Sequence, residues 1–334
     1  MPVRFFHSDD VPRIAQLQKA AFNGDATPPS DQLMRYIHDV YLAHPFSVSK
    51  DLQSLVYEHE GTVVGFIGVT PHSWKWRDQE VTAVTSSQYM VDPEFRSPVP
   101  AIELLKALLA GPQEFTIADG ANEVSMRLWT RLGGRVSHLY NLFWDLKFES
   151  GNGTAVESTD LMPVTPEMLA ADGESVLSKF DPRPFYRAAE IGWIIGHSSQ
   201  KRRFGPLRMM AVQEPRSGDI QGWFCYYTKA GERARVMQVA ASPKTATVVV
   251  ERMLADMKRQ GASGASGRVE PFLIEALSRA GATYDRGFDG RGHYALVHSR
   301  NEQLLSALLT GEGFMSRFEG EGWYNFAEHG GGQA

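Results

Sequence analysis

Apolar and polar residues in the first third of the chain follow two periods, one helical and one typical of strands. Residues 11–22 and 33–42 repeat apolar side chains at the spacing of helical turns. Short apolar or alternating runs predict strands at residues 3–6, 52–58, 62–70 and 80–91. The pattern therefore predicts two helices beside a sheet, and the last three of these strands are expected to be antiparallel.

Residues 82–134 continue as strand, helix, strand and helix. The helices are the runs IELLKALLAG and ANEVSMRLWTRLGG, the second closed by glycine, and QEFTIAD is the strand between them. A strand at 137–147 is predicted to complete the sheet. This order is that of an α/β unit, and the free amide groups of a helix N-terminus in such a unit can hold a phosphate.

The same order of elements returns in the second half of the chain. Helices are predicted within 167–192, and the later elements follow at 207–213, 220–228, 233–241, 244–260, 264–269, 271–279 and 294–298. Residues 149–164 are rich in Gly, Ser, Thr and Glu, which predicts a linker. We therefore predict an α/β protein with mixed (α+β) sheets, made of domains at 1–148 and 165–328 and a disordered tail at 329–334.

Composition narrows the classes of function. The 334 residues have a net charge of −5, and 43% are hydrophobic, as in an ordinary globular protein. The acidic balance argues against a nucleic-acid partner, and no apolar run has the length of a signal peptide or membrane span, so we expect a cytoplasmic protein without a membrane partner. The single cysteine, Cys225, excludes an internal disulfide, and the ten histidines lack metal-ligand spacing, so no metal site is predicted.

The residues around the junction at 91–101 carry the pattern of a known family. The pattern comprises Val91, Pro93, Glu94, Phe95, Arg96, Leu104-Leu105, Ala121-Asn122, Ser125, Leu128 and Leu132-Gly133. It resembles the acyl-CoA-binding core of the GCN5-related N-acetyltransferase (GNAT) superfamily. The resemblance implies two GNAT-like acyl-CoA N-acyltransferase domains in tandem, with acetyl-CoA or another acyl-CoA as co-substrate. It also implies a small-molecule acceptor, and it leaves a homodimer open.

The same resemblance implies where acyl-CoA would bind. In the family, the strand that ends here at Val91 pairs its backbone with the pantetheine arm, and the following loop holds the pyrophosphate. The expected binding residues are Tyr89, Met90 and Val91 in the strand, Arg96 and Ala101 in the loop, and Asn122 at the next helix N-terminus.

Two features depart from the family pattern. The loop at 96–101 reads RSPVPA, so Pro98 and Pro100 have no N–H to donate and Val99 replaces a glycine. Trp129 occupies the position where the family often has a tyrosine acid, and an indole cannot supply a transferable proton. The sequence therefore predicts the fold more directly than the chemistry.

The candidates for a general base are Glu58, Asp92 and Glu94, which lie on or beside strands, with His7 and His72 as alternatives. A base would need a pKa moved towards neutrality by burial. We predict an acyltransferase that moves an acyl group from acyl-CoA to an amine or hydroxyl. The alternatives are a catalytically inactive tandem scaffold that binds a ligand or protein partner, and Fem-type aminoacyl transfer.

Overall fold

The structure is a computed structural model that describes residues 2–46, 51–149, 160–286 and 294–329. The elements of its first half are β1 Val3–Phe5, α1 Val11–Asn23, α2 Asp31–Tyr41, β2 Leu55–His59, β3 Thr62–Trp76, β4 Gln79–Val91, α3 Val99–Leu109, β5 Phe115–Ala121, α4 Glu123–Arg131, β6 Arg135–Val136 and β7 Leu142–Lys147. Those of its second half are β8 Leu161–Pro163, α5 Pro166–Leu177, β9 Arg183–Pro184, α6 Ala188–Ser198, β10 Leu207–Gln213, β11 Ile220–Tyr227, β12 Arg233–Ala241, α7 Ala246–Arg259, β13 Gly264–Arg268, α8 Ile274–Arg279, β14 Thr283–Arg286, β15 Tyr294–Ser299 and α9 Glu302–Thr310.

Several helices begin where the pattern of polar residues predicts a cap. The side chain of Ser30 accepts the amide of Leu33 at the start of α2, and Thr165 caps α5 in the same way. These oxygens replace the water that would otherwise satisfy the first amides of a helix. The predicted helices and strands of the first half up to α4 are confirmed to within a few residues.

The two halves form two sheets with the same strand order. The first sheet is β1-β2-β3-β4-β5-β15-β6, and the second is β8-β10-β11-β12-β13-β7-β14. In both, the first strands are antiparallel and one central pair, β4 with β5 or β12 with β13, is parallel. The predicted tandem repeat is therefore present in the strand topology.

Each sheet includes strand residues from the other half of the chain, and the first sheet has two such strands, β15 and the short β9, which pairs with β3. We predicted that residues 137–147 complete the first sheet, and for β7 this is wrong, because β7 pairs with β13 and β14 of the second. In return β15 enters the first sheet between β5 and β6. A period-two pattern specifies a strand but not its partner, so the sequence could not reveal this exchange.

The predicted domain limits, 1–148 and 165–328, stay a prediction. They divide the chain at one point, whereas strands of each half pair with strands of the other. Most of the predicted linker, 150–159, and the tail residues 330–334 lie outside the described residues. At the end of the predicted linker, β8 is an edge strand beside β10.

Apolar side chains divide the molecule into layers. Helices α3 and α4 cover the outer face of the first sheet, where Leu104 and Trp129 pack with Ile67. The adjacent Phe66 points to the opposite face, into a core shared by both sheets that also contains α1, α2, α5 and α6. Strand alternation accounts for this division. Among the described residues, no helix is long and apolar enough to cross a membrane.

Residues 314–329, the C-terminal segment, run through this shared core between the two sheets. The sequence predicts turns around a terminal strand here, but the segment has no strand and consists of turns ending in a short 3-10 helix. Phe314, Phe318, Trp323 and Phe326 are all buried. Buried aromatic side chains, rather than strand pairing, hold the segment in place.

Candidate active site

The parallel strands β4 and β5 separate shortly after they meet. They pair only at Ala83–Thr85 with Phe115–Ile117, and β4 then bulges, with Gln88 at a φ of +49°. A bulge bends its strand away from the ladder. Among the described residues, β4 has no strand partner on this side beyond Thr85, which leaves a gap between the two strands.

The second sheet repeats this opening. Strands β12 and β13 pair at Arg233–Arg235 with Gly264–Ser266, and the ladder between β11 and β12 is irregular at Tyr226. The two openings border one cleft of about 220 Å³, with Gln88 and Asp119 on one side. Both halves of the repeat therefore contribute to a single central site.

The C-terminal segment enters the opening between β4 and β5. The Thr85 hydroxyl donates to the Glu319 carbonyl at 2.9 Å, and the Asp119 amide donates to the Glu321 carboxylate at 3.1 Å. Tyr324 shares a 2.5 Å hydrogen bond with Thr70 on β3. The Glu321 carboxylate thus lies at the point where the two parallel strands diverge.

The glycines on either side of Glu321 permit this approach. A Cβ at Gly320 would overlap the Asp119 side chain, and one at Gly322 would overlap Met237 on β12. The sequence Gly320-Glu321-Gly322 had suggested only a turn. The same pattern at Gly311-Glu312-Gly313 leaves Glu312 exposed, so the sequence alone did not single out Glu321.

The carboxylates of Glu319 and Glu321 differ in the hydrogen bonds that they accept from the protein. Glu319 accepts four hydrogen bonds, from the Ser316 amide and hydroxyl, the Tyr186 hydroxyl and the Gln238 amide. Glu321 borders the cleft and accepts the Asp119 amide. Burial and the nearby Asp119 carboxylate raise the pKa of the Glu321 carboxyl well above its usual range. Glu319 fixes the segment through these hydrogen bonds, whereas Glu321 borders the cleft.

A buried ion pair joins the two sheets behind this carboxylate. Arg268 of β13 binds Asp119 of β5, and their side chains are 1% and 10% exposed. Burial raises the pKa of the neighbouring Glu270 from 4.5 to about 8. The interior of the site thus holds more acidic than basic groups, and some of the acids are neutral at pH 7.

From the raised pKa of Glu270 we predict how the free energy of unfolding changes with pH. A carboxyl whose pKa is raised on folding binds its proton more tightly in the folded state, so stability falls as pH rises from 4.5 towards 8. Burial lowers the pKa of His72 to about 3 and that of His197 to about 4, which costs stability only below pH 6.5. Urea unfolding from pH 6.5 to 8 should therefore show a loss approaching about 1.4 kcal/mol per pH unit for each such carboxyl.

Glu270→Gln is the matched variant for this measurement. Glutamine keeps the shape of the side chain but does not titrate. The loss of stability per pH unit should therefore decrease by the contribution of one carboxyl, while Glu319 and Glu321 keep their contributions. Stability that is flat or rising between pH 6.5 and 8 in the unmodified protein would contradict the expectation.

The residues predicted to contact acyl-CoA lie along β4 and the two following helices. The Tyr89 hydroxyl donates to the Ala101 carbonyl in α3, and Met90 is buried on the opposite face. Arg96 is exposed, and Asn122 caps α4 by accepting the Ser125 amide at 2.9 Å. With Val91 at the end of β4, the strand and both helix N-termini belong to one region, and the binding roles stay predictions.

The predicted bases lie away from the cleft lining. Glu58 pairs with Arg4 at 2.8 Å, Asp92 pairs with Arg13 at 2.5 Å, and Glu94 is exposed. Each carboxylate thus faces a cation or solvent. Their assignment as bases remains a prediction, and Glu321 is the candidate that sequence analysis missed.

The loop that would hold the pyrophosphate offers few backbone donors. The Val99 amide already donates to the Ser97 hydroxyl at 3.3 Å, and Pro98 and Pro100 have no amide hydrogen. In the second half, the Ser242 and Thr245 amides are used within their own loop. Neither loop therefore fits a pyrophosphate through backbone amides alone.

The topology and the opened parallel strands are those of the GNAT-like fold. Solved structures with this fold include a probable N-acyltransferase from Enterococcus faecalis, with a TM-score of 0.63 and 11% identity over 91% of this chain and 73% of that protein. GCN5-related N-acetyltransferases from Anabaena variabilis (TM-score 0.60, 15% identity, 88% and 71% covered) and Kribbella flavida (0.58, 10%, 90% and 71%) are also similar. No protein-family model and no curated protein matches the chain. The likeness establishes the fold, and it extends over both halves.

Proposed function

We propose that the protein is an acyltransferase that moves an acyl group from acyl-CoA to the amine of a small molecule bound in the central cleft. The observation that carries the proposal is the Glu321 carboxylate at the divergence of β4 and β5, held by the Asp119 amide. Burial and the Asp119 carboxylate raise the pKa of this carboxyl, so once ionised it is a stronger base than an ordinary glutamate. The solved N-acetyltransferases with this fold support the same class of reaction.

Within this proposal, the acyl-CoA supplies an activated thioester. Glu321 takes a proton from the acceptor nitrogen, whose electron pair forms the new C–N bond while the C–S bond breaks. Backbone amides on the open edge of β4 beyond Gln88 would stabilise charge on the carbonyl oxygen. The proton taken up by Glu321 would pass to the departing sulfur, which leaves Glu321 ionised again. The Tyr324 hydroxyl, in the cleft wall beside Thr70, would donate a hydrogen bond to that sulfur, a role that Trp129 cannot fill because it is buried against Gly134.

The donor half of the proposal is tested by calorimetry with acetyl-CoA and longer acyl-CoAs. We expect binding that Arg96→Ala weakens by about tenfold, since an arginine–phosphate contact is a charge-assisted hydrogen bond. Val99→Gly should strengthen binding, because the Val99 side chain is 45% exposed over the loop and its removal lets backbone approach a phosphate. Arg216→Ala, at an exposed turn in the second half, is the matched control and should leave binding unchanged.

The two loops offer few backbone donors to a pyrophosphate, which favours a second candidate function, a tandem scaffold that binds a ligand without acyl transfer. In that case no acyl-CoA would bind to the unmodified protein or to the Val99→Gly variant. Binding without transfer to any amine would also favour the scaffold. Binding together with release of free CoA thiol in the presence of an amine would support the acyltransferase.

A further inference from the structure

Asp119 and Arg268, the two members of the buried ion pair, occupy corresponding positions in the two halves of the repeat. The parallel pairing of β4 with β5 ends at Ile117, and that of β12 with β13 ends at Ser266. Asp119 follows two residues after the first of these points, and Arg268 follows two residues after the second. The ion pair therefore joins the two halves at matching points, with an acid from the first half and a cation from the second.

The Asp119 carboxylate depends on Arg268 for its contacts. Its Oδ1 atom accepts a hydrogen bond from the Arg268 guanidinium, and its Oδ2 atom is buried and accepts none from the part of the chain that the structure describes. Oδ2 lies against Gly320, where an added Cβ would come within 2.4 Å of it. Loss of the guanidinium would leave a buried carboxylate without a hydrogen bond, and a folded protein avoids this by a local rearrangement.

Asp119 is also the residue that holds Glu321. Its backbone amide donates to the Glu321 carboxylate at 3.1 Å, and the backbone of Gly320 packs against its side chain. Asp119 therefore contacts the C-terminal segment through both its amide and its side chain. Because Arg268 fixes that side chain from the second sheet, continuous contacts run from β13 through β5 to the carboxylate at the cleft.

We propose, building on the acyl transfer proposed above, that Arg268 is a positioning residue for Glu321, supplied by the second half of the chain to the site of the first. Arg268 holds Asp119, and Asp119 orients the Glu321 carboxylate through its amide and acts on it through its charge. Arg268 lies behind the lining of the cleft, so it acts through Asp119 rather than by touching substrate. A base must be held close to its productive geometry, which is the task of such supporting residues.

Steady-state kinetics of the Arg268→Gln variant test the positioning role. Glutamine removes the charge and keeps a hydrogen-bond donor. The assay uses acetyl-CoA and the most active amine among ethanolamine, phenethylamine and L-phenylalanine. We expect kcat to decrease by about tenfold to a hundredfold while KM changes less, because a misplaced base slows the chemical step. Arg268→Lys, which keeps the charge, should recover most of the loss.

Arg208→Gln is the matched control for a lost ion pair. Arg208 of β10 pairs at 2.5 Å with Asp256, a fully buried carboxylate on α7. This variant should lower the free energy of unfolding and leave kcat unchanged. Each variant is assayed at a temperature at which circular dichroism shows it to be folded. Full kcat in Arg268→Gln, or an equal loss of kcat in Arg208→Gln, would overturn the proposal.

The pH profile of kcat in Asp119→Asn tests the charge of Asp119. Asparagine keeps the backbone amide that donates to Glu321 and removes the negative charge beside it. Burial, and then this charge, raise the pKa of the Glu321 carboxyl, so without the charge kcat should begin to rise about one pH unit or more lower. A profile that does not move would overturn the proposal. The other ionisable groups around Glu321 are the same in this variant, namely Arg317 and Glu319 on its own segment, Lys201, Arg203 and Arg235 along the cleft, and Tyr41 and Tyr324.

Hydrogen exchange separates this proposal from the function on which it rests, because it needs no turnover. The Asp119 amide should exchange faster in Arg268→Gln than in the unmodified protein or in Arg208→Gln, relative to the other amides of β5. Faster exchange without transfer to any amine would support the positioning contact and contradict the acyltransferase. Unchanged exchange, with transfer at the unmodified rate, would overturn the positioning role and leave the acyltransferase standing.

Discussion

Replacing Glu321 with glutamine is expected to lower kcat for acyl transfer by about a hundredfold to ten-thousandfold, the range typical of a lost general base. Glutamine keeps an oxygen that can accept the Asp119 amide, so the C-terminal segment should stay in place. The binding of acyl-CoA should change much less than kcat, because glutamine has nearly the same size and shape as glutamate. Steady-state kinetics with the preferred amine provide the measurement.

The pH profile distinguishes a base from a structural residue. Glu321 acts only when ionised, and its raised pKa means that kcat should increase with pH well above the usual range of a carboxylic acid. Glu321→Gln should lose this dependence. Glu312→Gln, the same change at an exposed position after α9, should keep it. Full activity of the Glu321→Gln variant would contradict the role of Glu321 as the base, and Glu58, Asp92 and Glu94 would then be the candidates to test.

Replacing Arg268 with leucine should destabilise the protein by about 3–5 kcal/mol. Removing one partner of a buried ion pair leaves the other charge without compensation. Here that charge is the Asp119 carboxylate, which is 10% exposed and close to Glu321. The change would also remove a direct link between the two sheets. The free energy of unfolding in urea, at pH 7, is the quantity to measure.

A double-mutant cycle isolates the pair itself. With Asp119→Leu added to Arg268→Leu, no unpaired charge remains, and most of the lost stability should return, as for other buried pairs replaced by apolar residues. A double variant no more stable than Arg268→Leu would show that packing, rather than the unpaired carboxylate, accounts for the loss. A mild effect of Arg268→Leu alone would show that Asp119 is compensated by another group.

Local patterns in the sequence were sufficient for most elements and for the repeat. Caps such as Ser30 and Asn122, apolar spacing and the run from Val91 to Arg96 act over a few residues, so they predicted helices, strands and the GNAT-like fold. The loss of backbone donors at Pro98 and Pro100 could also be predicted from the sequence, because proline lacks an amide hydrogen in any structure.

The site needed the tertiary structure. Glu321 meets Asp119 across 202 residues of sequence, and Arg268 reaches it from the other sheet. The pairing of β7 and β15 in each other's sheets is equally non-local, because alternation fixes which side chains share a face and leaves the neighbouring strand unspecified. The sequence by itself determined the elements and their repeated order. Only the tertiary structure decided which carboxylates are buried together, because pKa values and cleft charge depend on neighbours that approach through folding.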